Sequence, residues 1–254
     1  MHYRTLIAFL IVSAALVAAC GGGSSPSPTA ETLEGRTFLS TGVEGQSLVA
    51  GSVVRITFQA GQLSVRAGCN SMGGPYRIDG DLLVPGQLST TEMACDPLLM
   101  AQDQWVGDLL GGATIALDDN TLTLTKGTVR LMLLNRVVAD PDRPLVGTRW
   151  VVDGVISGGA VSNLPAGIVA AVTFGDGAVI VEAGCNQGGG SARITDAAIE
   201  FGPIGLTKKG CEPPAMSVEL AVTQVLSGTI AYRIEAGTLT LSAGDVGLTL
   251  RAGS

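Results

Sequence analysis

Ala67-Gly68-Cys69-Asn70 returns as Ala183-Gly184-Cys185-Asn186, 116 positions further along a chain of 254 residues. The second cysteines keep that offset, Cys95 against Cys211. Each copy opens on Leu-x-Gly-x-x-aromatic, Leu33 to Phe38 and Leu145 to Trp150, and each closes on an alternating run, Thr121 to Thr125 and Thr238 to Ser242. Four separated blocks in the same order, at offsets of 112 to 117 residues, mark an internal duplication. The units span 31–138 and 145–254, and residues 139–144, with Asp140-Pro141-Asp142-Arg143-Pro144, form a short, stiff linker.

Within each unit the apolar residues recur mostly with period two, the spacing of a half-buried strand. Val53 to Phe58 and Leu63 to Arg66 flank the hairpin-length connection Gln59-Ala60-Gly61-Gln62. Val169 to Phe174 and Ala178 to Glu182 flank Gly175-Asp176-Gly177, and Val129 to Leu134 and Val246 to Leu250 read as closing strands. One segment per unit breaks the pattern. Asp96-Pro97 starts a helix with Leu98, Ala101, Trp105 and Leu109 on its inner face, stopped by Gly111-Gly112. Glu212-Pro213 starts its counterpart, with Val218, Ala221, Val222, Val225 and Leu226 on one stripe before Gly228. The expected fold is mainly β (α+β): two tandem, small, antiparallel, curved sheet or barrel-like domains, each with one amphipathic helix.

The Gly-Cys-Asn turn, the block Thr90-Thr91-Glu92-Met93-Ala94-Cys95, the helix behind it and the final Leu-x-Leu strand resemble the META domain of the HslJ heat-shock protein type. The second unit departs where Leu206-Thr207-Lys208-Lys209-Gly210-Cys211 replaces that block. The resemblance implies a small curved β domain of bacterial envelope proteins and no particular reaction.

Residues 1–19 read as a signal peptide, with Arg4 as the positive start and an uncharged apolar stretch from Leu6 to Ala19. Leu16-Val17-Ala18-Ala19-Cys20 resembles the bacterial lipobox, which implies lipid attachment at Cys20 and cleavage before it. Residues 20–30 then supply the lipidated cysteine and a Gly/Ser-rich tether reaching about 15–20 Å. The expected location is the extracytoplasmic face of a membrane in the cell envelope, with the body held there by lipid.

Setting Cys20 aside, the remaining four cysteines form two pairs 26 residues apart. An exported chain with even arithmetic favours disulfides Cys69–Cys95 and Cys185–Cys211, pairing across the units being the other possibility. A metal centre is not expected, because no Cys-x-x-Cys occurs and the pairs sit in separate units.

The one histidine, His2, lies in the signal segment, so the processed chain would lack imidazole and the nucleophile systems built on it. A net charge of −7 with 15 Lys+Arg argues against nucleic acid as a partner. Aromatics at 4% and 36 glycines fit short strands and tight turns. Carboxylates are the remaining acid–base candidates: Asp96 with Glu212, and Asp103 with Glu219, recur at matching positions. Asp96 and Glu212 read as helix caps, and Asp103 and Glu219 as solvated helix-surface groups. Asn70 and Asn186 are candidates to face a ligand, although an Asn after such a cysteine more commonly closes a turn. Trp105 and Trp150 read as core anchors. The glycine clusters Gly73-Gly74 and Gly188 to Gly190 lack the strand-to-helix setting of a phosphate loop. Arg55, Arg66 and Arg77 fall on solvated alternate positions.

The expected function is that of a membrane-anchored envelope lipoprotein, not an enzyme and without a cofactor: a binding or envelope-stress and maintenance module for an unidentified envelope protein, glycan or lipid. The alternative is a carboxylate-dependent hydrolase of a cell-wall glycan. Peptide mapping under non-reducing conditions is expected to recover Cys69–Cys95 and Cys185–Cys211 as the linked pairs. Bonds between the two units, or four free thiols, would overturn the reading of two self-contained copies.

Overall fold

The computed structural model describes residues 27–253. Cys20, the apolar segment before it and most of the tether lie outside the described residues. The first domain runs through α1 (Ala30–Leu33), β1 (Thr37–Glu44), β2 (Arg55–Gln59), β3 (Gln62–Arg66), β4 (Ser71–Asp79), β5 (Leu82–Pro85), β6 (Ser89–Thr90), α2 (Pro97–Leu110), β7 (Thr114–Asp118), β8 (Thr121–Lys126) and β9 (Val129–Asn135). One helical turn, α3 (Arg136–Ala139), leads into the linker. The second domain comprises β10 (Arg149–Ser157), β11 (Ala160–Asn163), β12 (Ala170–Phe174), β13 (Ala178–Ala183), β14 (Gln187–Ile194), β15 (Ala198–Phe201), β16 (Gly205–Leu206), α4 (Pro213–Val225), β17 (Gly228–Glu235), β18 (Thr238–Ala243) and β19 (Val246–Ala252).

Each domain closes on itself through antiparallel ladders. In the first, the order β3-β2-β1-β9-β8-β7-β5-β4 returns to β3. In the second, β10-β12-β13-β14-β15-β17-β18-β19 returns to β10. Both are eight-stranded barrels, a size whose interior side chains fill without leaving a channel. The alternation in sequence becomes the inside of each barrel. Ile56, Phe58, Leu63, Val65, Leu122, Leu124, Leu131 and Leu133 are buried in the first. Val172, Phe174, Val179, Val181, Leu239, Leu241, Leu248 and Leu250 are buried in the second. Each such side chain contributes about 1.5–3 kcal/mol relative to leaving it in water. The duplication extends to irregularities: β1 is bulged between Ser40 and Gly42 and β10 between Val152 and Gly154.

The long helices join these same cores through Val106, Leu109 and Leu110 of α2 and Val218, Val222 and Val225 of α4. The stripe expected for α4 is present, but α2 is rotated from the face expected for it. Leu98 is 66% exposed and Ala101 is also exposed, while Gln102 and Asp103 are buried. Backbone polar groups draw those two inward. Gln102 Oε1 accepts from the Val49 amide at 2.6 Å, and its Nε2 donates to Ser52 Oγ at 2.9 Å and to the Ala67 carbonyl. Trp150 is fully buried with its Nε1 donating to the Leu145 carbonyl at 3.1 Å, whereas Trp105 is only half-buried.

The linker owes its course to more than its prolines. Asp142 Oδ1 accepts from the Ala236 amide at 2.7 Å and from the Arg136 guanidinium, while the Arg143 amide donates to the Ala236 carbonyl at 2.8 Å. Ala236 sits at φ +55° in the turn between β17 and β18, so this turn of the second barrel clasps the end of the first domain. Arg55 of β2 adds an ion pair to Glu235 across the junction at 2.6 Å.

Burial pushes the Asp142 carboxyl up, but the hydrogen bonds from Arg136 and the Ala236 amide, with the Arg136 and Arg233 charges, outweigh it and hold it below the ordinary carboxylate range. A carboxylate lowered in the folded state stabilises above its unfolded pKa of about 3.9 and loses that contribution as pH falls through the lower folded value. Limited proteolysis between residues 139 and 144 should therefore accelerate only below about pH 4. Asp142→Asn should already be cut faster at neutral pH with a flatter acid response; an unchanged profile would show that the clasp does not hold the linker.

Candidate functional site

The motif that revealed the duplication builds a corner in each barrel, between the turn leading into β4 or β14 and the long helix. In the first domain the turn's amides converge on Asp103 of α2. Gly68 N donates to Oδ1 at 2.7 Å, and Cys69 N and Asn70 N donate to Oδ2 at 3.1 and 2.8 Å. This corrects the expectation that Asp103 is solvated: it is 7% exposed because three amides with no strand partner need an acceptor there. Asn70 is turned into the same corner. Its Oδ1 accepts from Thr91 Oγ1 at 3.0 Å and from the Met93 amide at 2.8 Å, and its Nδ2 points to the Met93 carbonyl at 3.5 Å.

The second domain repeats the wiring with other residues. Asn186 Oδ1 accepts from Thr207 Oγ1 and from the Lys209 amide, both at 2.7 Å, and its Nδ2 donates to the Lys209 carbonyl at 3.3 Å. The departure of Leu206–Cys211 from the first block thus costs little, since Met93 and Lys209 act through backbone and only the threonine acts through its side chain. Sequence reasoning missed Thr91 and Thr207, although they keep the 116-residue offset of the cysteines. The carboxylate differs more. Glu219 is half-buried and accepts from the Asn186 amide alone, at 2.8 Å.

Glycine precedes each cysteine for a different reason. A Cβ on Gly68 would collide with the Leu99 carbonyl of α2, so the loop could not approach the helix. Gly184 has φ +97°, a conformation that side chains resist. Disulfides Cys69–Cys95 and Cys185–Cys211 then tie each turn to the start of its helix, with Cα separations of 6.2 and 5.9 Å. Closing a loop of this size stabilises by about 3–4 kcal/mol in the chain-entropy account.

Asn70 and Asn186 are therefore buried structural hubs and do not face a groove. Asp96 caps α2 through the Leu98 amide at 2.8 Å. Glu212 holds the equivalent position without a side-chain cap bond, its extra methylene carrying the carboxylate past the amides that Asp reaches. Among the described residues, no group of three or more His, Cys, Asp or Glu is placed to hold a metal ion. Every buried side-chain nitrogen or oxygen among them has a partner. Of the strand arginines, Arg77 pairs with Asp79 at 2.8 Å and Arg66 meets Ser71 Oγ at 3.3 Å, both at the surface. Arg55 departs from the solvated role expected for it by crossing to Glu235.

The unequal wiring predicts unequal mutants. Asp103→Asn replaces a carboxylate that takes three amides by a group that also presents donors to them, and should cost about 3 kcal/mol in urea unfolding. Glu219→Gln should cost about 1 kcal/mol. Equal losses would mean that the two corners carry equal loads.

The META domain family model matches residues 31–138 and 143–253. No curated protein matches the chain. Among solved structures, one protein determined by NMR is 26% identical over 42% of this chain and 94% of its own, with a TM-score of 0.38. Another NMR structure, of a protein from Burkholderia xenovorans, is 16% identical over 51% of this chain and 98% of its own, with a TM-score of 0.36. The DNA polymerase III subunit beta of Pseudomonas aeruginosa is 11% identical over 87% of this chain and 58% of its own, with a TM-score of 0.17. Scores this low carry no functional argument. The two family matches, with the duplicated corner and the duplicated barrel, make this chain a member of the META domain family that contains the domain twice.

Proposed function

We propose that the protein is a lipid-anchored component of the bacterial cell envelope, held at the extracytoplasmic face of a membrane through Cys20, and that it works as a binding or maintenance module without catalysis. The observation that carries the non-catalytic half is the internal use of the duplicated polar groups. Asp103 takes four donors, which fills the acceptor sites of a carboxylate, and both asparagines are spent on holding a neighbouring loop. Of the recurring acids that the rival hydrolase would use, Asp103 is buried against amides and Asp96 is engaged as a cap, so the case against it rests on the first domain, while Glu219 accepts one amide and Glu212 makes no cap bond. The anchor rests on Leu16 to Cys20 and on the Gly/Ser-rich tether after it. Among the described residues, no helix is long and apolar enough to cross a membrane. Partners in this reading are the membrane, through lipid, and an envelope protein, glycan or lipid; nucleic acid is a poor match for a chain of charge −7.

Metabolic labelling with palmitate and subsequent membrane fractionation test the anchor. The wild-type chain should take up label and sediment with membranes, and Cys20→Ser should lose the label. An unlabelled wild-type chain would remove the anchor from the proposal, and turnover of a cell-wall glycan by the purified chain would remove the non-catalytic half.

A further inference from the structure

A cleft of about 520 Å³ lies where the two barrels meet, between the linker and the outer face of β17, β18 and β19. Register determines its floor. Arg233 pairs with Thr240, Glu235 with Thr238, and Thr238 in turn with Arg251. Cross-strand partners share a face, and alternate residues return to it. Arg233, Glu235, Thr238, Thr240 and Arg251 thus form one polar patch outside the barrel, while Leu239, Leu241 and Leu250 fill the inside. Arg55 reaches the patch from the other domain. A smaller cavity of about 200 Å³ shares Arg233 and Glu235 and adds Arg36 and Arg136.

Five of the chain's 15 Lys+Arg residues line these two cavities. The carboxylates beside them are Asp140 and Glu235 on the walls, with Asp142 and Asp153 paired behind to Arg136 and Arg251. Five guanidiniums thus stand against four carboxylates, and within the larger cleft Arg55, Arg233 and Arg251 are balanced by Asp140, Glu235 and Asp153, in a chain of net charge −7. Two of these three arginines are largely accessible. Arg233 is 79% exposed and meets Glu235 at 3.4 Å, and Arg251 is 71% exposed and meets Asp153 through Nε at 2.7 Å. A guanidinium carries five N–H donors in a planar fork suited to the oxygens of phosphate, and each of these two uses a fraction of them. The Thr238 and Thr240 side chains line the same cleft and place hydroxyls beside the forks. The volume is that of a small-ligand site.

We propose that this interdomain cleft binds a phosphate oxyanion, held by Arg55, Arg233 and Arg251 with the Thr238 and Thr240 hydroxyls. The bound anion takes over donors that Glu235 now shares between Arg55 and Arg233. Because the site draws on both barrels, neither domain alone supplies it. The proposal rests on the binding half of the proposed function and does not depend on the lipid anchor.

Calorimetric titration of the full chain in neutral detergent micelles tests it, with inorganic pyrophosphate as the free probe and phosphatidylglycerol mixed into the micelles as the headgroup probe. One saturable site is expected for at least one probe, and the responding probe identifies a free or a lipid-borne phosphate. Arg233→Ala with Arg251→Ala should weaken binding about tenfold or more, since each lost charge-assisted hydrogen bond approaches one decade. Thr238→Val with Thr240→Val should weaken it about threefold to fivefold without changing charge. Arg193→Ala, which removes the exposed ion pair from β14 to Glu200 of β15, should leave binding unchanged. Absence of a saturable site for both probes overturns the proposal, as does indifference to the threonine pair, which would reduce the cleft to a diffuse positive field. Failure of palmitate labelling would leave this result intact.

Discussion

Closure of an eight-stranded sheet constrains nearly every other feature of each domain. The eight strands of each barrel pair on both sides, which leaves open edges only on the short appended strands β6, β11 and β16. Alternate residues must then fill an interior with no exit, and aliphatic side chains do most of this around Phe38 and Phe58 in one barrel and Trp150 and Phe174 in the other. The outer face is released from packing and becomes available to charge. That division is clearest on β17 to β19, where leucines fill the core and arginines and threonines occupy the outside of the same strands.

A closed barrel still has to accommodate the helix that interrupts its strand order. The corner at the Gly-Cys-Asn turn solves this with a polar latch. Amides exposed by the turn find a carboxylate on the helix, an asparagine ties down the loop that brings the second cysteine back, and the disulfide joins the two ends of the arrangement. The copies keep this plan while differing in composition. Asp103 accepts three amides, Glu219 accepts one, and Met93 and Lys209 are interchangeable because only their backbones take part. Sequence divergence at a motif therefore does not imply divergence of its task.

The junction behaves differently from the corners. It exists once, since it is made from the end of one copy and the outside of the other. Asp142 and Arg143 grip the Ala236 turn, Arg55 reaches Glu235, and the resulting cleft brings three arginines with partly unused donors together. Duplication has supplied two stable bodies, and joining them has created a surface that a single copy lacks. At the repeated motif, by contrast, Asp103, Asn70 and Asn186 are already occupied within the fold.

The repeat, the strands β2, β3, β8, β9, β12, β13, β18 and β19, the two long helices, the pairing of the cysteines and the cap at Asp96 were legible in the residues, because offsets, periodicity and helix-start chemistry are local properties. The face presented by α2 was not. Apolar spacing pointed to Leu98 and Trp105, but polar groups of two distant loops pulled Gln102 and Asp103 inward, and hydrogen-bond demands arising 53 and 34 residues away leave no periodic trace. The inward turn of Asn70 and Asn186 was hidden for the same reason. So was the gathering of Arg55, Arg233 and Arg251, which lie far apart in sequence and meet only through the register of two barrels and a clasped linker. Local pattern determined what each segment would become. Tertiary structure decided which polar groups face one another, because that depends on unpaired backbone donors and charges brought together from separate elements.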